Sequence, residues 1–438
     1  MYRTTFWLRF FTLAVSITTG VSRADDMSAW LEKNHDGLIA TYHWFHQHPE
    51  LSHKEAKTAE RLAAELKKVG AEVTTGVGGT GVVALIKNGD GPTVMLRTDL
   101  DALPVQEKTG LVFASQAKAT DPRGLEVPVM HACAHDLHMT NLIGTAKYLA
   151  EHKDQWKGTL MLIGQPAEEV GKGAKRMLDD GLFKRFPKPD YAVALHVDPS
   201  QPTGKVAARA GFLMANVDSV DITIRGRGGH GAWPHLTVDP VVIAAKLILD
   251  LQTIAAREIK PGEPMVITVG SIQGGTKHNI ISDECKLQLT IRSYSADVRK
   301  QIHDAIRRKA KAAAESAGAP EPDVVIPEDY TPAVENQAEL TNRVIAAMRK
   351  VLGEENVLEA QQTMGGEDFS QYGLIGGVPI CMFRLGVTRP MRMAGFERLN
   401  QKPPSLHSPL FYPDIDEALP VGIRAMTAVA IDLFGKEQ

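Results

Sequence analysis

Eleven residues, "MHACAHDLHMT" from Met130 to Thr140, contain three histidines, one cysteine and one aspartate. A thiolate and imidazoles this close together can bind a borderline divalent metal such as zinc, manganese, cobalt or nickel. Cys133 and His135 are two apart, so an extended backbone would project both to one side. Further ligand chemistry sits where apolar runs end. "TVMLRTDLDALP" closes on Asp99 and Asp101, "LMLIGQPAEEV" on Glu168 and Glu169, and "AVALHVD" on His196. Taken singly, each has an ordinary reading: a His–Asp helix cap, a solvated acidic turn, a satisfied core histidine. At three successive strand ends they point together to one crevice, because open α/β sheets bind ligands outside the carboxyl ends of their strands. Adjacent glutamates there can divide the labour, one ligating a metal while its neighbour takes a proton from water. Burial and like charge would raise the second carboxylate's pKa into the range a general base needs. This division predicts hydrolysis rather than binding alone.

The elements that must position these residues are short apolar runs alternating with helical patterns. "GVVALIK", "TVMLRTDL", "GTLMLIGQP" and "YAVALHV" lack polar alternation and read as strands buried on both faces of a largely parallel sheet. Asp136 is expected to cap the helix "LHMTNLIGTAKYLAEH", whose Leu142, Ile143, Ala146 and Leu149 follow a helical spacing. From about residue 210 the order becomes β-α-β-β-α-β, a ferredoxin-like unit. The expected organisation is an α/β catalytic domain over residues 25–207 and 331–438, with an inserted α+β lid or dimerisation domain over 208–330.

Composition bounds the partners. The 438 residues are 43% hydrophobic, and 49 Lys+Arg against 52 Asp+Glu give a formal charge of -3, which supplies no basic surface for nucleic acid. Small molecules or peptides are the expected ligands. At the N-terminus, Arg3 and Arg9 precede an apolar run from Phe10 to Ile17 that leads to small residues before Ala24. This is the pattern of a cleaved export signal over residues 1–24, too short to span a membrane. The expected location is therefore periplasmic or secreted. Three cysteines, Cys133, Cys285 and Cys381, give no disulfide framework.

Six motifs, "RTDLDALP", "MHACAHDLH", "GQPAEE", "GGHGAWPH", "MGGEDFSQY" and "LHSPLF", occur in the order typical of a known group. The chain resembles the metal-dependent amidohydrolases that include hippurate hydrolases, indole-acetyl-amino-acid hydrolases and N-acyl-amino-acid deacylases, relatives of aminoacylases and carboxypeptidase-G-type enzymes. The resemblance implies two divalent metal ions held by Cys133, His135, Glu169, His196 and His407. It implies Glu168 as general base, later the acid for the leaving amine, and His230 as a group that polarises the scissile carbonyl, often from the second subunit of a homodimer. Asn279 and Arg292 would hold the substrate carboxylate. Asp99, Asp101, Glu367 and Asp368 would support the ligands, with Asp99 standing where the carboxypeptidase branch has a ligating histidine. The implied substrate is an N-acyl or N-aroyl amino acid, or a dipeptide if the peptidase branch applies. Two departures stand out: Ala134 where the family has glycine, tolerable if its φ is negative, and Ile281-Ser282 where proline is common nearby. A binding protein stapled by metal would not need Glu168 beside Glu169, and an inactive scaffold would not need the full ligand set.

Overall fold

The computed structural model describes residues 23–435. The expected export signal over residues 1–24 lies outside the described residues except at its last two positions. No described helix is long and apolar enough to cross a membrane.

The larger layer is a sheet of eight strands, in the order Glu72–Val77, Gly81–Asn88, Gly158–Gln165, Thr93–Asp99, Tyr191–Pro202, Ile380–Thr388, Val206–Ala208 and Val357–Glu359. Its centre, from Gly158–Gln165 to Ile380–Thr388, is parallel throughout. Gly81–Asn88, expected as one of the parallel strands, runs antiparallel to Gly158–Gln165 and pairs with Glu72–Val77 across the turn at Gly78 and Gly79. A tight turn allows only antiparallel pairing, so the sheet is mixed at its edges.

Both faces of the centre are covered, and side-chain parity sorts the residues. Leu96, Leu162, Val193 and Phe383 pack on one face against the long helices Arg23–Gln47, His135–Glu151 and Ile415–Phe434. Met95, Met161, Ile163, Ala192, Ala194 and Met382 pack on the other, under the shorter helices Gly173–Asp179, Leu182–Arg185 and Ser370–Leu374. Successive strand residues point to opposite faces. The second face therefore continues, towards the strands' carboxyl ends, into Arg97, Asp99, Gln165, His196 and Arg384, where apolar core gives way to charge.

The middle of the chain forms its own antiparallel sheet, ordered Val266–Gly274, Glu284–Ser293, Asn216–Arg225 and Asp323–Val325. Val220, Ile222 and Ile224 alternate with more exposed residues and bury one face of this sheet against the helices Pro240–Thr253 and Ala296–Glu315. Asp239 caps the first helix by accepting from the backbone of Val241 at 2.9 Å and of Val242 at 3.4 Å, and Pro240 starts it. This is the ferredoxin-like strand order.

Candidate active site

The first metal motif reaches its position through a turn, not an extended strand. The backbone turns at Ala134, which has φ 60 and ψ 31, and the helix begins at His135. The negative φ that would make alanine comfortable is therefore not adopted. A left-handed alanine carries about 1–2 kcal/mol of strain, while its buried methyl returns about 0.8 kcal/mol. Ala134→Gly is accordingly expected to stabilise the metal-stripped protein by up to about 1 kcal/mol. A urea titration showing instead a loss of stability would mean that methyl packing dominates.

Asp136 does not cap this helix. Its Oδ2 accepts from His46 Nδ1 at 2.7 Å, and Glu107 lies 3.2 Å from the other ring nitrogen of His46. The two carboxylates overcome the burial of His46 and raise its pKa to about 9. The helix is also not amphipathic: it is buried nearly all round, because it lies between the sheet and two other long helices.

Five residues converge beside Ala134. Cys133 Sγ lies 3.5 Å from His196 Nε2, and these atoms group with a His135 nitrogen within 4.8 Å. Cys133 also groups within the same limit with Glu169 and His407. His407 Nε2 is 3.4 Å from Glu169 Oε2, and its backbone N–H donates to Ala132 at 2.8 Å, which ties the two distant motifs together. Cys133 is thus common to two triads. His196 lies within Tyr191–Pro202, not at its end; it faces the crevice because pairing with Thr93–Asp99 stops at Ala194.

The donor set fits divalent metal. His135 Nδ1 is 2.7 Å from the backbone oxygen of Asp101, an N–H donor's contact that leaves Nε2 with its lone pair directed inward. That Nε2 and Glu169 Oε1 are buried without a hydrogen-bond partner among the described residues. Orphaned buried acceptors are rare in folded proteins, and a cation satisfies both. Burial raises the Cys133 thiol well above its ordinary pKa, so a metal is what would hold it as thiolate.

Around these ligands the structure places a layer of fixed carboxylates. Asp101 accepts from the backbone N–H of Glu168 at 3.1 Å and of Glu169 at 3.0 Å, and from Ser52 at 2.5 Å. Its backbone orients His135 while its side chain pins both glutamates. Asp99 lies 2.7 Å from His138 Nδ1 and 2.7 Å from Arg97 Nη1. Burial would raise its pKa, but His135, His138 and Arg97 together hold it well below the usual range. Glu367 accepts from Arg97 Nη2 at 2.8 Å, and Asp368 accepts from Gln165 at 2.5 Å.

Glu168 is 8% exposed, with Oε2 3.9 Å from His135 Nε2. Burial, then Glu367 and Glu169, push its carboxyl well above the ordinary range. Glu169 rises to about 8, chiefly by burial. A cavity of about 600 Å³ opens onto Cys133, Glu168, Glu169, His196 and His407, and Arg292 also lines it. His230 and Asn279 do not line it. They stand exposed on a two-stranded ribbon of the middle unit, where Gly231 N–H donates to Asn279 at 2.8 Å.

Arg97, His138 and Arg384 escaped the sequence reading. Each carried a signal: Arg97 stands two residues before Asp99 in a buried strand, His138 one helical turn after His135, and Arg384 alone in the apolar run "ICMFRLGV". A charge in a strand buried on both faces requires a partner. His138 is not a ligand, since its second nitrogen accepts from Val197 N–H at 3.2 Å.

Known proteins share this architecture. The chain is 36% identical over 405 residues to "Thermostable carboxypeptidase 2" of Saccharolobus solfataricus, covering 92% of this chain and 96% of that protein. It is 35% identical over 340 residues to "N-acetylcysteine deacetylase" of Bacillus subtilis, covering 77% and 85%. A crystal structure of a Bacillus subtilis protein described as a dinuclear metal binding peptidase from the M20 family superposes with a TM-score of 0.75 at 30% identity, covering 91% of this chain and 98% of that one. Residues 95–429 match the model of peptidase family M20/M25/M40. The chain belongs to that family and is a metal-dependent hydrolase acting on amides.

Proposed function

We propose that the protein hydrolyses the amide bond of N-acyl or N-aroyl amino acids, releasing a carboxylic acid and a free amino acid. The observation that carries this reading is a buried Glu168, its proton affinity raised by burial and by Glu367 and Glu169, beside a preformed Cys133/His135/Glu169/His196/His407 ligand set at one cavity. Two divalent ions held by those five residues would supply Lewis-acid chemistry at the scissile carbonyl and make water more acidic. Glu168 accepts the proton of the attacking water and returns it to the departing amine nitrogen. Arg292 presents a guanidinium fork to the substrate's carboxylate. Asp101 and Asp99 keep the imidazoles and glutamates in place, so little reorganisation accompanies reaction.

In the same proposal the protein is exported and works as a homodimer through the middle unit, with His230 and Asn279 delivered to the crevice of the second copy. The exposure of both residues, and of Trp233 and Leu236 beside them, supports this. A peptidase reading is favoured by the carboxypeptidase relative. The test is amine release from N-acetyl, N-benzoyl and N-indoleacetyl amino acids and from dipeptides, with protein stripped and refilled with Mn, Zn, Co or Ni. Metal-dependent release from the acyl amino acids is expected. Release from dipeptides alone would replace this reading by the peptidase one.

A further inference from the structure

Two arginines are buried on the crevice face of the central sheet, and they are used differently. Arg97 is saturated by Gln165, Asp99 and Glu367. Arg384 is only 6% exposed and lines the cavity, yet its guanidinium makes no hydrogen bond or ion pair with any described residue. Sheet register sets it beside His196, so its charge adds to that of the metal site rather than offsetting it. Asp198, the acidic residue that most strongly favours its charge, is engaged elsewhere, accepting from Ser200 N–H at 2.9 Å and Ser200 Oγ at 2.6 Å. Glu367, Cys133 and Glu168 act on Arg384 only through space.

A guanidinium cannot shed its proton in a protein, so a buried one without a partner keeps five donors for an anion. Arg292 offers a second guanidinium on the same cavity. We infer that Arg384 reads a second carboxylate of the substrate, so that the preferred substrates are dianionic: one carboxylate is the α-carboxylate at Arg292, and the other is carried by an acidic amino-acid side chain or by a dicarboxylic acyl group. This inference rests on the amide-hydrolase reading above for its substrates but not for its binding chemistry.

The experiment compares kcat and KM for N-acetyl-glutamate and N-acetyl-aspartate, for N-succinyl-leucine, and for the monoanionic N-acetyl-leucine, in the metal-loaded wild type, Arg384→Gln and Arg384→Lys. In the wild type one dianionic arm should exceed N-acetyl-leucine by about 10- to 100-fold in kcat/KM, mainly through KM, as a charge-assisted hydrogen bond supplies. Which arm leads identifies whether the amino acid or the acyl group carries the second charge. The ratio should collapse in Arg384→Gln and be partly restored in Arg384→Lys, which keeps the charge but loses the fork. Calorimetric titration of the same proteins with succinate against propionate gives a readout without turnover, and thermal melts show whether each variant is folded. Equal selectivity in the wild type and both variants, or an equal fall in kcat on dianionic and monoanionic substrates, would overturn the assignment. If no substrate of any arm is cleaved while succinate still binds through Arg384, the carboxylate reader stands and the hydrolase reading falls.

Discussion

Glu168→Gln is expected to lower kcat by roughly a hundred- to ten-thousand-fold, the range that a positioned acid–base group contributes. KM and metal content should stay close to those of the wild type. Glutamine matches glutamate in shape, and the Glu168 backbone N–H remains fixed by Asp101 at 3.1 Å, so the position survives the substitution. What is lost is the capacity to take and return a proton. Burial and the carboxylates of Glu367 and Glu169 raise the proton affinity of Glu168, which suits it to hold the proton between water attack and amine departure. The comparison should be made at matched metal loading, with metal measured directly. Turnover within a few-fold of wild type would move the proton-transfer role to another group.

Arg97→Met should cost the fold about 3–5 kcal/mol, the loss seen when one partner of a buried ionic cluster is removed. The Arg97 side chain is fully buried, and its guanidinium serves Asp99 at 2.7 Å, Glu367 at 2.8 Å and Gln165 at 3.0 Å. Methionine fills similar space but leaves Asp99, Glu367 and the nearby Asp368 as uncompensated acids in a dry interior. Those acids would then compete for protons and weaken the hold of Asp99 on His138. Denaturant unfolding of metal-free protein gives the stability change apart from metal binding. Arg97→Lys should be intermediate, since an ammonium keeps the charge without the fork that spans several partners. A loss below about 1 kcal/mol in Arg97→Met would show that the surrounding carboxylates are neutral in the folded protein.

Much of this site was legible in the sequence because strand ends carry their own punctuation. Asp99, Glu168 and Glu169 each follow an apolar run, and the fold gathers all three around His135, with Cys133 beside it. Local geometry was less legible. "CAHD" reads as an extended pair followed by a capping aspartate, but a left-handed Ala134 and the Asp136–His46 contact, across 90 positions of chain, replace both. His46 carries no local mark of that contact. His230 and Asn279 do not line the cavity of their own chain, and a sequence marks a glycine-rich turn without saying which copy's crevice it faces. Arg97 and Arg384 were hidden for the opposite reason, since a single charge in an apolar run draws less notice than a cluster.

The two-faced burial of the central strands bears on how their alignment is held. A strand with one wet face is kept in register by hydrophobic contrast, because a slip of one residue would expose its apolar side. Here both faces are dry, and Met95 and Leu96 would exchange places at little cost to either layer. Oil alone cannot tell the two alignments apart. The contacts that can are the polar ones, Arg97 to Gln165 between neighbouring strands and Asp99 to His138 between strand and helix. The same atoms that ready the crevice for chemistry therefore act as the alignment key of the fold, and a chain that slipped past them would bury its charges among leucines.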